Sequence, residues 1–279
     1  MAVDAGSVLD VTAGASLLSD GKLQGGKGGN VTLASHVLGQ IPSNGGLLSF
    51  AGEVRGYGVT GGGTLSVASG GKIVLGGPVD AQDVTTLRLD PLLFSTGFGK
   101  YEINGYKGLT VADGAQIDVL MPVLRLEGGA AQAPGSGAPP ADVLTRWTPA
   151  LYTEDALRGT LTQRAGADLA LYSDRAAQGG PIVVGEGARV SVDPARSIQI
   201  RGADQITVLG RLDAWGGAFP SRSRAWASSP MCPRPIPARS GSASRRCWTP
   251  PTAAMWRPTP GAGAMAWCRP AAPSRSAAR

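Results

Sequence analysis

Apolar and polar residues alternate in short runs through the first 219 residues of the chain. The runs include SVLDVTAG (7–14), GNVTLAS (29–35), GLLSFAGEV (46–54), GTLSVASG (63–70), GKIVLGG (71–77) and GLTVADGAQIDV (108–119). They continue with GADLALYS (166–173), GPIVVGEGARVSV (180–192), SIQIRGADQITVLG (197–210) and GRLDAWGG (210–217). Each places apolar side chains at i and i+2, which puts them on one face of a strand. Glycine clusters such as Gly25–Gly26, Gly61–Gly63 and Gly179–Gly180 separate the runs, as turns needing positive φ require. Helical periodicity is nearly absent. The best candidate for a short helix is ALYTEDALRG (150–159).

Many short strands with turn signals predict an all-β fold, and a sandwich, a barrel or a parallel solenoid would each fit. Three features favour the parallel β-solenoid. The inward residues are mostly Val, Ile, Leu and Ala, with aromatics only 5% of the chain, as suits a narrow stacked interior. Hairpin-forming Asn-Gly pairs occur only at Asn44–Gly45 and Asn104–Gly105. The same small pattern recurs throughout, as in a coil stacked on copies of itself. On this reading Leu169, Ile182, Val192, Ile200 and Val208 point inward.

The predicted organisation is β-helix repeats over 1–129, an excursion over 130–159, and further repeats over 160–219. The excursion opens with low-complexity AAQAPGSGAPPA (130–141) and carries Trp147, Tyr152 and the short helix, candidates to pack back on the coil flank. Composition changes abruptly after Phe219. Residues 220–279 contain ten Arg and eleven Pro, with no Lys, Asp, Glu, Leu, Val or Phe. Such a segment buries too little apolar surface to offset the ordering of its backbone, so it is expected to be disordered.

The tail also reads as translation in the wrong frame. In the frame joining the last base of one codon to the first two of the next, Met255–Trp256 must encode Val, Met265–Ala266 Gly, and Trp267–Cys268 Val. GC-rich synonyms elsewhere allow the text to end in AGGTIEVGG, the alternation of the first 219 residues. Trp226, Trp248, Trp256, Trp267 and all three cysteines (Cys232, Cys247, Cys268) then need no functional explanation.

Charge divides the same way. The whole chain has net charge +6, but residues 1–219 hold only 16 of the 26 basic residues and all 20 acidic ones, a net −4. The basic balance therefore gives no support for nucleic acid as a partner. The cysteine-free first part can build neither a disulfide framework nor a thiolate metal site. No run reaches the roughly 18 apolar residues of a membrane helix, so membrane insertion is not expected. The start, MAVDAGSVLDV, lacks the basic and apolar regions of a signal peptide.

GGKGGNVTLAS, KYEINGYKGLTVADGAQIDV, LTQRAGADLAL, GGPIVVGEGARVSVD and ITVLGRLDAWGG together resemble the filamentous haemagglutinin-like exoproteins of Gram-negative two-partner secretion systems. The likeness covers most of 1–219. It implies a right-handed parallel β-helix, export through an outer-membrane β-barrel transporter, and display as an extracellular surface fibre. Such a fibre adheres to receptors or glycans of host or neighbouring cells, or presents a distal effector. This chain lacks the signal peptide and the N-terminal secretion domain with its Asn-Pro motifs, so it is expected to be an internal piece of a longer fibre. Self-association through uncapped solenoid ends follows.

No catalytic, cofactor-binding or metal residue is assigned, and no cofactor is expected. His36 is the sole histidine, without cysteine companions. Gly56–Gly61 matches GxGxxG, but no βαβ unit surrounds it, and Gly25–Gly29 around Lys27 lacks the GK[ST] order; both read as turns. A polysaccharide lyase or hydrolase is the enzymatic alternative, and it needs carboxylates converging from adjacent rungs. Asp10, Asp20, Asp113, Asp118, Asp168, Asp174, Asp193 and Asp204 are scattered, and Glu154–Asp155 read as helix N-terminal acids. The leading expectation is a non-enzymatic spacer and contact surface, with the stalk of a contact-dependent toxin exoprotein as the runner-up.

Overall fold

The computed structural model describes residues 1–20, 22–35, 47–78, 83, 85–126, 143–173 and 179–223. The chain divides into two units, Met1–Ser228 and Ser229–Arg279, and every described residue belongs to the first. The cysteines and Trp226, Trp248, Trp256 and Trp267 lie outside the described residues, as do His36 and the low-complexity stretch 130–141.

The described elements are all strands except one 3-10 turn. The chain makes five passes. The first holds β1 (Ala2–Val3), β2 (Val8–Asp10), the pair β3 (Ala15–Leu17) and β4 (Leu23–Gly25), and β5 (Val31–Ala34). The second holds β6 (Ser49–Phe50), β7 (Glu53–Arg55), β8 (Thr64–Ser69), β9 (Lys72–Leu75), β10 (Thr86–Leu89) and the 3-10 turn Pro91–Ser95. The third is β11 (Lys100–Gly105), β12 (Leu109–Val111) and β13 (Gln116–Val119). Two side hairpins follow: β14 (Val123–Leu126) with β15 (Leu144–Trp147), and β16 (Tyr152–Asp155) with β17 (Thr160–Gln163). The fourth pass is β18 (Asp168–Ser173), β19 (Ile182–Val184) and β20 (Arg189–Val192). The fifth is β21 (Ile198–Gly202), β22 (Ile206–Val208) and β23 (Arg211–Ala214), and β24 (Ser221–Ser223) begins a further one.

Strands from successive passes pair in parallel. The largest sheet runs β5-β8-β11-β18-β21-β24, a second runs β10-β9-β12-β19-β22, and a third runs β13-β20-β23. The two first-pass pairs, β1-β6 and β2-β7, are parallel as well. The register puts like on like: Leu65 pairs with Tyr101, then Leu169, then Ile198. In the second sheet Ile73, Leu109, Ile182 and Ile206 form one row, and in the third Ile117, Val190 and Leu212 form another. These rows make one continuous core. Each buried aliphatic contributes about 1.5–3 kcal/mol, so a short strand is held only when the strands on either side cover it.

Leu169, Ile182, Val192 and Ile200 are buried as expected. Val208 is 43% exposed, because β22 is the edge strand of its sheet among the described residues. Leu209, Trp215 and Phe219 are exposed near it in sequence.

Three expectations need correction. The 150–159 segment is not a helix: Tyr152–Asp155 pairs antiparallel with Thr160–Gln163. A helix of ten residues is marginal in water, whereas Thr153, Thr160 and Thr162 suit a strand, and Asp155 with Gly159 (φ +61) closes the turn. Trp147 and Tyr152 remain 40% and 47% exposed, so these aromatics are not packed away on the flank. Instead Arg164 anchors the arm: it pairs with Asp193 (2.5 Å) and donates to the Pro149 carbonyl (3.0 Å). Nor does the composition break at Phe219 end the sheet. Ser221–Ser223 pairs with Ile200–Gly202, since parallel backbone hydrogen bonds need no apolar side chain.

The second pass is irregular. Although β10 follows β9 in sequence, it lies on the side of β9 away from β12, and the 3-10 turn takes the place of a strand beside β13. Asp90 caps that turn by accepting from Leu92 N–H (2.8 Å), with Pro91 at its first position. The turn leaves room that three aromatics fill. Phe94 and Phe98 meet Tyr101 edge to face at 5.4 and 6.0 Å between ring centres.

Candidate functional site

The residues singled out in the sequence do not converge. Asp10 accepts from Thr12 N–H and Asp20 from Lys22 N–H, each within its own turn. Asp113 accepts from Glu186 N–H, Asp118 from Ser191 Oγ, and Asp168 from Ser197 N–H and Oγ, all tying one pass to the next. Asp193 holds Arg164, and Asp155 accepts from Leu157 and Arg158 N–H in the hairpin turn. Asp174 lies outside the described residues. Among the described residues no three His, Cys, Asp or Glu side chains group as metal ligands. No helix there is long and apolar enough to cross a membrane.

The Gly56–Gly61 motif is a packed corner. A Cβ on Gly56 would overlap the Phe98 ring, and one on Gly58 would overlap the Gly61 carbonyl. Gly28, from the other glycine cluster, is equally tight against the Gly56 carbonyl. These glycines let neighbouring passes approach each other, and no phosphate could enter among them.

A real concavity lies where the ladder is broken. Between β6–β7 on one side and β10 with the 3-10 turn on the other is a cleft of about 630 Å³. Its floor is apolar, with Phe50, Val54, Leu89 and Leu93, and its polar lining includes Glu53, Tyr57, Arg88, Asp90 and Arg146. Gly56 N–H donates to the Thr96 carbonyl (3.0 Å), a backbone bond joining the two layers.

Most of these charges are already committed. Arg55 grips Glu53 with two hydrogen bonds (2.8 and 2.7 Å), which hold the carboxyl below its ordinary value. Asp90 is the cap of the 3-10 turn. Arg146 reaches from β15 to the Tyr57 hydroxyl (3.1 Å), and its guanidinium lies 5.5 Å from the centre of that ring. The hydrogen bond to Tyr57 raises Arg146 above the usual arginine value. Arg88 differs from the rest. Its Nε is buried and has no hydrogen-bond partner, and Arg88 makes no ion pair among the described residues. Neither histidine nor cysteine lines the cleft, and no nucleophile there is hydrogen-bonded to a base. The arrangement is suited to holding an anion.

Sequence reasoning missed this cleft. Arg88 sits in TLRL (86–89), whose alternation is visible, but nothing local places it opposite Tyr57 and Arg146.

No protein-family model matches the chain, and neither does any curated protein or any solved structure.

Proposed function

We propose that residues 1–219 are a right-handed parallel β-helix acting as a rigid spacer and contact surface in a secreted, haemagglutinin-like surface fibre. The observation that carries this reading is the parallel register. Each of the three principal sheets gains one strand per pass from the third pass onward, always in the same direction. A chain built this way grows in length with each pass, by about 4.8 Å. Ion pairs and hydrogen bonds across passes hold its acidic side chains, which favours a scaffold over a hydrolase. The exposed edges at β22 and β23 are places where a second copy would add strands, so self-association belongs to the same reading.

The test joins the chain behind the secretion domain of a two-partner system and supplies the matching outer-membrane transporter. The expected outcome is a chain on the cell surface, cleaved by added protease. Retention inside the cell with the secretion domain exported normally would contradict the proposal. Duplication of residues 168–214 adds two passes and should lengthen the molecule by about 10 Å in solution scattering.

A further inference from the structure

We propose that the cleft between β7 and the 3-10 turn binds a small monocarboxylate, with Arg88 as its principal partner. A buried donor without an acceptor costs about 1–3 kcal/mol, so a partnerless Nε is a place where a ligand group fits. The cleft volume of about 630 Å³ suits a small molecule, with room left for water. The nearby negative charges are already taken, Glu53 by Arg55 and Asp90 by the turn it caps. Arg88 is thus the lining cation open to an incoming anion, with Arg146 adding its charge from across Tyr57.

The ligand's class follows from the rest of the lining. Glu53 and Asp90 repel a dianion more strongly than a monoanion, which disfavours phosphate. A planar guanidinium fork matches a carboxylate in two parallel hydrogen bonds. Phe50, Val54, Leu89 and Leu93 offer contact to an apolar or ring-shaped body attached to it. Recognition in this cleft does not depend on the fibre reading and could fail or succeed without it.

The experiment is titration calorimetry of the full chain with benzoate, glucuronate and inorganic phosphate, repeated on Arg88→Gln and Leu92→Ala. Benzoate and glucuronate distinguish an organic acid from a sugar acid, and saturable binding of either near 1 mM or tighter supports the proposal. Arg88→Gln should weaken that binding at least tenfold while circular dichroism stays unchanged. Leu92→Ala, at an exposed side chain on the rim, should weaken it less than threefold. Binding of neither carboxylate, tighter binding of phosphate, or unchanged affinity in a folded Arg88→Gln protein would overturn it. If Arg88→Gln fails to fold, Arg88→Lys replaces it: the charge stays, the fork is lost, and binding should still fall.

Discussion

The third to fifth passes and the second pass solve the same packing problem differently. Outside the two side hairpins, each strand of the third and fourth passes finds its counterpart one pass later, so backbone groups and aliphatic rows continue without a gap. In the second pass β10 doubles back beside β9, a 3-10 turn replaces a strand, and an aromatic cluster fills the enlarged interior. In the regular region the backbone donors and acceptors of the strands are consumed by neighbouring passes. The irregular one keeps a cleft lined by an arginine whose Nε has no hydrogen-bond partner. In a stacked β fold, capacity for binding arises where the stacking is interrupted.

The largest expected effect contrasts two buried leucines. Leu109 is covered by Ile73 on one side and Ile182 on the other, whereas Leu87 on edge strand β10 has, among the described residues, Ile73 alone as a ladder neighbour. Leu109→Ala should cost about 2–5 kcal/mol in urea unfolding, and Leu87→Ala clearly less. Equal losses would mean that the two regions are equally continuous.

Next comes an alkaline effect confined to the aromatic cluster. Burial pushes the Tyr101 hydroxyl up from 10 to about 12, although Thr96 N–H donates to it (3.1 Å). The folded state therefore keeps its proton when the unfolded chain has released it. Stability is intact below pH 10 and falls by about 2 kcal/mol as the pH rises to 12. Tyr101→Phe should lose most of that decline in thermal melts at stepped pH.

A glycine comparison is smaller. Gly56→Ala forces a methyl against Phe98 and should destabilise by about 1–3 kcal/mol, while Gly14→Ala, with open space around it, stays within about 0.5 kcal/mol. The smallest effect lies in the regular region. Hydrogen bonds from Arg211 and then Arg189 lower the Asp213 carboxyl below 3.8. Its contribution is present above that value and lost as the pH falls through the lowered one. Asp213→Asn should therefore flatten the acid limb of a melting curve measured between pH 5 and pH 2.

Strands were legible in the sequence where alternation was clean. TLSVAS reads as a strand with Leu65 and Val67 inward, and β8 has that burial pattern. Neighbours were not legible, because alternation specifies a face and says nothing about which strand lies alongside. Hence neither the reversed position of β10 nor the exposure of Val208 could be foreseen. At 150–159 a weak helical periodicity suggested a short helix, and pairing with Thr160–Gln163 overrode it. The cleft was hidden for the same reason: its lining comes from residues 50–57, 76–77, 88–96, 115 and 146, which only tertiary packing assembles.

The parallel register is tested most directly by cross-linking outward-facing neighbours in a background with Cys232, Cys247 and Cys268 replaced by Ser. Thr110 pairs with Val183, and Val183 with Thr207, so Thr110 and Thr207 are two strands apart. Adjacent strands lie about 4.8 Å apart, within the reach of a disulfide, and alternate ones about 9.6 Å apart, beyond it. Under mild oxidation the Thr110→Cys/Val183→Cys chain should form an internal disulfide and the Thr110→Cys/Thr207→Cys chain should not. The opposite outcome would contradict the stacking from which every other conclusion is built.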